Sequence, residues 1–213
     1  MLPQTGERQI AETIEGIKPN HRNRYAFAAN VIQNDLDSNV IQTNVIDCAC
    51  GVGYGTMMLA ESGVRAHGFD IEPGAIEVAN RVYKRDNNEF HVVDLSNSEQ
   101  WMQTVSGLDH PIDAIVSIET IEHVEDAVAL IARYAETAPY LVASVPNEDT
   151  IPFNKAKHPF HYRHYTRGQF EELLNDHGYE IGVWATQYDK IPGIVYEDAD
   201  DGMGFIVSAS KVK

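Results

Sequence analysis

Val45-Ile46-Asp47-Cys48-Ala49-Cys50-Gly51-Val52-Gly53-Tyr54-Gly55-Thr56 is the stretch on which the reading of this chain turns. A short apolar run ends in an acid, Asp47. A turn of small residues follows, and then a helix-like segment, Thr56-Met57-Met58-Leu59-Ala60. That order predicts a buried parallel strand passing through a tight glycine turn into a helix. Gly51, Gly53 and Gly55 carry no Cβ, so the backbone can come close to a ligand. The helix start behind them offers N–H groups and a positive dipole end. Such a turn holds a nucleotide-like ligand at the carboxyl ends of the strands. A dinucleotide fingerprint requires a third glycine three residues after the second, and Thr56 stands there. An NAD-dependent oxidoreductase is therefore the weaker reading.

Further strands repeat the ending in an acid. Residues 64–70 form a second predicted strand closed by Asp70, at about the distance from the glycine turn where an acid meets a ribose diol in a βαβ unit. Pro73 suits the first turn of a helix whose apolar face is Ile76, Ala79, Val82 and Tyr83. Residues 90–93 form a third strand before Asp94, residues 113–118 a fourth, and residues 140–145 a fifth. Residues 179–188 and 204–211 read as two closing strands. Strand and helix in alternation, then two strands without a helix between them, predict an α/β doubly wound fold. The expected sheet is mostly parallel and seven-stranded, with an antiparallel C-terminal hairpin and helices on both faces. Residues 1–213 are expected to be one domain, with 1–36 a helical lead-in capped at Asn20 and 148–178 a substrate-side insertion and helix.

Asp47-Cys-Ala-Cys-Gly-Val-Gly53 resembles the first motif of class I S-adenosylmethionine-dependent methyltransferases, with Ala49 where that family usually has glycine. Glu119-Thr-Ile-Glu122-His123 is similar to the fourth motif, which borders the transferring methyl group. Thr5-Gly6-Glu7-Arg8 with His21-x-x-Arg24-Tyr25-x-Phe27-Ala28 resembles the lead-in of a subgroup associated with sugar and cell-surface biosynthesis. The resemblance runs from about residue 5 to 211 and implies S-adenosyl-L-methionine as cofactor. It implies that Asp47 and the backbone of Ala49, Cys50, Gly51 and Gly53 hold the methionine end, with Arg24 or Tyr25 reaching its carboxylate. Packing of the helix is the alternative role for Tyr25 and Phe27. Asp70 and its neighbour Ile71 fall on the ribose side, Asp94 and Leu95 at the adenine, and Glu119 near the sulfonium.

The chemistry is expected from Glu119, His123 and His161. A histidine suits removal of a hydroxyl proton near neutral pH, although His123 can equally brace the loop at the start of the next helix. His161 belongs to His158-Pro-Phe-His161-Tyr-Arg-His164, read as a substrate-facing loop because Pro159 interrupts any helix that would align the three histidines. No metal is expected; Glu119, Glu122 and His123, which resemble a divalent-ion cluster of quinone O-methyltransferases, are the weak candidate. The family's Pro-Gly-Gly turn is replaced by Thr137-Ala-Pro139, and no Asn/Asp-Pro-Pro-Tyr motif of amino-methylating nucleic-acid enzymes is present. The expected reaction is methyl transfer to a small-molecule or sugar acceptor, on oxygen, the alternative being a cofactor-binding sensor or assembly subunit without turnover.

Composition narrows the partners. Sixteen basic against 32 acidic residues give a net charge of −16. A polyanion-binding protein concentrates Lys and Arg on one face, and the nearest approaches to a cluster are Arg22/Arg24 and Lys84/Arg85. A nucleic-acid substrate is therefore not expected. A hydrophobic share of 43% with no long apolar run argues against a membrane span. The absence of a signal pattern at Met1-Leu-Pro-Gln and two reduced, buried thiols at Cys48 and Cys50 make the expected location cytoplasmic.

Overall fold

A computed structural model describes residues 9–36, 42–188 and 191–212. The Thr5–Arg8 part of the lead-in motif lies outside them. The chain divides into two compact units at residues 114/115.

The first unit begins with a 3₁₀ turn (Ile14–Gly16) and helix α1 (Pro19–Asp35). The helix starts one residue before the predicted cap. Pro19 occupies its first turn and Lys18 the N-cap, because proline's fixed φ suits a position where no N–H bond is lost. Its buried stripe is Arg24, Tyr25, Phe27, Ala28, Val31 and Ile32. Three parallel strands follow: β1 (Asn44–Cys48), β2 (Arg65–Asp70) and β3 (Asn88–Val92). β1 pairs with β2, and β2 with β3. Asp47 stands opposite Gly68 and Asp70 opposite Val92, so parallel pairing gathers the carboxyl ends of the strands. Helix α2 (Tyr54–Glu61) links β1 to β2. The β2–β3 crossover is α3 (Pro73–Val78) with Pro73 in its first turn, continuing as a π-helical turn (Ala79–Tyr83). Helix α4 (Ser98–Ser106) buries Trp101, whose ring meets Phe69 edge-on at 5.5 Å. That contact gives Trp101 a packing role that its sequence context does not reveal.

At the boundary lies β4 (Ala114–Ile118). The second unit continues with α5 (Ala127–Thr137), β5 (Tyr140–Pro146), α6 (Arg167–Asn175), β6 (Tyr179–Tyr188), β7 (Ile191–Val195) and β8 (Gly204–Lys211). β8 runs antiparallel between β5 and β6, and β7 is antiparallel to β6. The fold is the expected α/β class, mostly parallel with an antiparallel C-terminal part, but among the described residues the strands number eight. β7 is the addition: Ile191–Val195 contains a proline and a glycine, which weaken a strand pattern in sequence, and pairing with β6 supplies what the local pattern lacks. In α5 the buried residues are Ala127, Leu130, Ile131, Tyr134 and Ala135, while Val128 faces outward. Thr166 and Gln169 make a capping box at the start of α6. No helix of the described residues is long and apolar enough to cross a membrane.

Candidate active site

In the first unit the glycine turn is shaped by positive φ at alternate residues: Ala49 at 55°, Gly51 at 57° and Gly53 at 90°. Ala49 thus departs from glycine in a left-handed conformation, where a Cβ costs about 1 kcal/mol or more; the demand at this position is on φ rather than on size. Cys50 N–H donates to the Phe69 carbonyl at 2.9 Å, which ties the turn to β2. At Gly53 an added Cβ would lie 2.6 Å from the Phe90 ring. At Gly51 an added Cβ would meet nothing within 4 Å, so the turn opens onto unfilled space.

Asp47 is fully buried and accepts from Tyr25 Oη at 3.0 Å and from Thr56 Oγ1 at 2.6 Å. Burial pushes its carboxyl up from the usual 3.8 to about 7, against the lowering effect of both hydroxyl donors. Tyr25 is held well above the usual phenol value by burial and then by the charge of Asp47, so it remains a donor. Thr56 was visible in the sequence only as the glycine missing from a dinucleotide turn. Its signal was a lone polar residue in the first turn of an otherwise apolar helix. Gly55 is where α1 and α2 come together: a Cβ there would fall 2.0 Å from the Tyr25 ring. Gly55→Ala is expected to displace Tyr25, break the Tyr25–Asp47 bond and destabilise the fold by about 2–4 kcal/mol, read as a lowered midpoint in urea unfolding. A loss below about 0.5 kcal/mol would mean that α1 accommodates the methyl by moving.

Asp70 is buried and bridges two loops. Its Oδ2 accepts from Gly51 N–H at 2.8 Å and its Oδ1 from Glu72 N–H at 2.9 Å. Ile71 beside it is 58% exposed, an apolar surface next to a buried acid. Asp94 is half-buried, accepts from Ser96 N–H at 2.8 Å, and is followed by buried Leu95. Cys48 and Cys50 are buried thiols not joined in a disulfide, and burial raises the Cys50 pKa well above its usual value, so it is a weak nucleophile. The structure therefore brings Tyr25, Asp47, Ala49, Cys50, Gly51, Gly53 and Asp70 together around one turn. The donor set fits the group that the motifs imply: carboxylates suit a cation and a diol, and the glycine turn is open in front. A separate cavity of about 650 Å³, lined by Glu12, Arg22, Met57, Glu61, Tyr83 and Arg85 among others, contains none of the predicted residues.

In the second unit Glu119 also has a left-handed φ, 50°, the kind of strain that gathers at functional positions. Ser144 holds it twice: Glu119 N–H donates to Ser144 Oγ at 3.0 Å, and that hydroxyl donates to Glu119 Oε1 at 2.9 Å. Glu122 is buried in the 3₁₀ turn Ile121–His123. The ring of His123 lies 4.4 Å from that of His161, edge to face. Ligand atoms of Glu122, His123 and His161 lie within 4.8 Å of one another, as do those of His158, His161 and His164. The histidines converge although Pro159 forbids a helix. The loop instead closes through one isolated turn, His158 N–H to the Asn154 carbonyl, and one long-range bond, Tyr162 N–H to the Glu122 carbonyl, each at 2.8 Å. Either set could hold a divalent ion, and in the first the member beside Glu122 and His123 is His161, while Glu119 is engaged with Ser144.

The bonding fixes the histidine tautomers. His164 Nδ1 lies 2.6 Å from the Ile151 carbonyl and must donate to it. In neutral His164 the Nε2 is then an acceptor, so His161 Nδ1, 2.8 Å away, donates. That leaves a lone pair on His161 Nε2. Burial, and then the neighbouring His123, His164 and His158, push the His161 pKa down from 6.5 to about 3, so the ring is a neutral base throughout the ordinary pH range.

Comparison with known proteins bears on the family and the fold. Residues 12–182 match the sequence profile of a family described as a methyltransferase domain. A Mycolicibacterium smegmatis protein named a probable S-adenosylmethionine-dependent methyltransferase is 25% identical over 189 residues, 84% of this chain and 66% of that one. A ubiquinone biosynthesis O-methyltransferase of Nitrosospira multiformis is 28% identical over 109 residues, 49% of this chain and 42% of that one. The chain thus spans less than two thirds of the length of either relative. Among solved structures, magnesium protoporphyrin IX methyltransferase from Synechocystis with bound S-adenosylmethionine has the same fold, with a TM-score of 0.63 and 20% identity over 91% of this chain and 80% of that one. The chain belongs to the methyltransferase domain family.

Proposed function

We propose that this protein transfers a methyl group from S-adenosylmethionine to a hydroxyl oxygen of a small-molecule or sugar acceptor. Residues 1–213 are read as one methyltransferase domain, a reading that the family match over residues 12–182 supports. When bound, the cofactor supplies a methyl group on a positively charged sulfur with a neutral thioether as leaving group. The new carbon–oxygen bond forms as the carbon–sulfur bond breaks, and the acceptor hydroxyl gives up its proton. The observation that carries the oxygen reading is the His164-to-His161 relay, which leaves an unprotonated Nε2 on His161 to receive that proton. His123, donating from Nδ1 to the Phe160 carbonyl at 3.3 Å, is the second candidate base. Glu119 is assigned to the methyl-transfer side. In the first unit Asp47 and the backbone of residues 49–53 hold the methionine end; Asp70 with Ile71, and Asp94 with Leu95, hold the adenosine. The net charge of −16 favours small acceptors over polyanions.

Calorimetric titration with S-adenosylmethionine, S-adenosylhomocysteine and NAD, followed by a screen of hydroxylated acceptors for S-adenosylhomocysteine release, tests the proposal. Both adenosyl ligands are expected to bind and NAD to be inert. Binding without turnover over a broad acceptor set would leave a sensor; release only with amine acceptors would replace oxygen by nitrogen.

Cofactor binding is expected to depend on pH through Asp47. Its folded pKa is raised from 3.8 to about 7, so its contribution to the stability of the free protein is full below about pH 4 and is lost as pH rises through 7. A cationic ligand works in the opposite direction, because it needs the carboxylate. Below about pH 7 binding must release the proton, and affinity should fall roughly tenfold per pH unit. Titrations in buffers of different ionisation enthalpy read that proton directly. A pH-independent affinity with no proton release would remove Asp47 from contact with the ligand's charge.

A further inference from the structure

We infer that His67, Glu89 and His91 form a binding site for a borderline divalent transition-metal ion, with zinc as its representative, on the paired strands β2 and β3. Parallel register sets His67 opposite Glu89 and Phe69 opposite His91. Side chains alternate between faces along a strand, so Glu89 and His91, two residues apart, share a face, and His67 stands beside them on the neighbouring strand. One ligand atom from each of the three lies within 4.8 Å of the others. The Glu89 Oε2 atom is 4.0 Å from His67 Nδ1 and 3.7 Å from His91 Nε2.

A second observation points to a ligand. His67 Nδ1 and His91 Nε2 are both buried, and neither has a hydrogen-bond partner. The His67 residue itself is only 5% exposed. Buried nitrogens without partners are unfavourable and call for an explanation; two of them facing one carboxylate are accounted for together by a shared metal ion. The donor set selects the ion: two imidazoles and one carboxylate suit zinc and its neighbours, whereas magnesium and calcium favour all-oxygen shells. Bonds of about 2.0–2.1 Å at tetrahedral angles put ligand atoms about 3.4 Å apart. The two Glu89–histidine separations close to that value with a small movement of Glu89, whose side chain is 59% exposed. Three protein ligands leave a fourth position for water. Burial pushes both rings below the ordinary histidine value, which keeps their lone pairs available. Arg65 and Lys84 add positive charge that Glu89 opposes, so bonding to nitrogen rather than bulk charge would hold the ion. An occupied site would clamp β3 to β2, between the strand that ends in Asp70 and the strand that precedes Asp94.

The test is zinc binding by the full chain after chelator treatment, read as metal-to-protein ratio by atomic emission and as the zinc-induced shift of the unfolding midpoint. Wild type, His91→Asn, Glu89→Gln and His158→Asn are compared. His91→Asn is expected to lose one zinc equivalent. Glu89→Gln should weaken that site roughly tenfold or more, and His158→Asn should keep the equivalent that His91→Asn loses. Equal zinc content and equal stabilisation in wild type and His91→Asn would overturn the inference, as would equal stabilisation by magnesium. If metal-free His91→Asn fails to fold by circular dichroism, the exposed Glu89→Gln variant decides the matter: an unchanged zinc affinity there overturns the site.

Discussion

Asp70→Ala is expected to lower affinity for S-adenosylmethionine by at least about 100-fold, with a similar loss for S-adenosylhomocysteine. Two effects combine. Under the proposed assignment the carboxylate accepts from the ribose diol, and hydrogen bonds to a charged acceptor contribute about 1.5–3 kcal/mol each. The same carboxylate also holds the glycine turn through Gly51 N–H and the next helix through Glu72 N–H. Its removal leaves those donors without their partner and loosens the backbone on which the ligand sits. At about 1.4 kcal/mol per decade, the ribose contacts alone account for two decades or more. Asp70→Asn should fall between wild type and alanine, because its carbonyl can accept from one backbone N–H while its amide cannot accept from the other. Calorimetry gives the affinities, and thermal unfolding of the unliganded proteins separates loosening of the turn from lost contact. A loss of tenfold or less in Asp70→Ala would end the ribose assignment.

His161→Ala is expected to reduce kcat by about 10²- to 10⁴-fold with cofactor affinity unchanged, the range removed with a general base. The pH profile separates this role from a structural one. His161 has a pKa lowered to about 3, so in the wild-type protein it is already unprotonated at every pH where the fold is ordinarily assayed. An activity limb near pH 6.5 must then belong to another group. The stability consequence has a definite sign. The unfolded chain takes up a proton on this ring near pH 6.5 while the folded chain does not, so its contribution is present above 6.5 and is lost as pH falls toward 3. Removing His161 should therefore flatten the decline of stability below pH 6.5. A His161→Ala enzyme with wild-type kcat on its acceptor would transfer the proton-accepting role to His123.

The sequence by itself determined the features whose causes are local. A strand, a glycine turn and a helix follow from the order of residues 45–60, since φ requirements and burial are set within a few residues. Asp47, Asp70 and Asp94 could be placed at strand ends by spacing alone, and the Thr166–Gln169 capping box needs only a three-residue interval. Family resemblance over most of the chain reached the cofactor by the same route. Tertiary structure decided everything that depends on a distant partner. The capture of Asp47 by Tyr25 and Thr56 joins residues 22 and 9 positions away, and no period in the sequence links them. The convergence of His158, His161 and His164 comes from a loop closed by irregular hydrogen bonds, a geometry that a proline-interrupted pattern conceals. β7 exists because β6 pairs with it, and His67, Glu89 and His91 meet because of strand register. Long-range pairing is chosen by the free energy of the whole packed fold, and a local pattern records only the part of that choice made by neighbours along the chain.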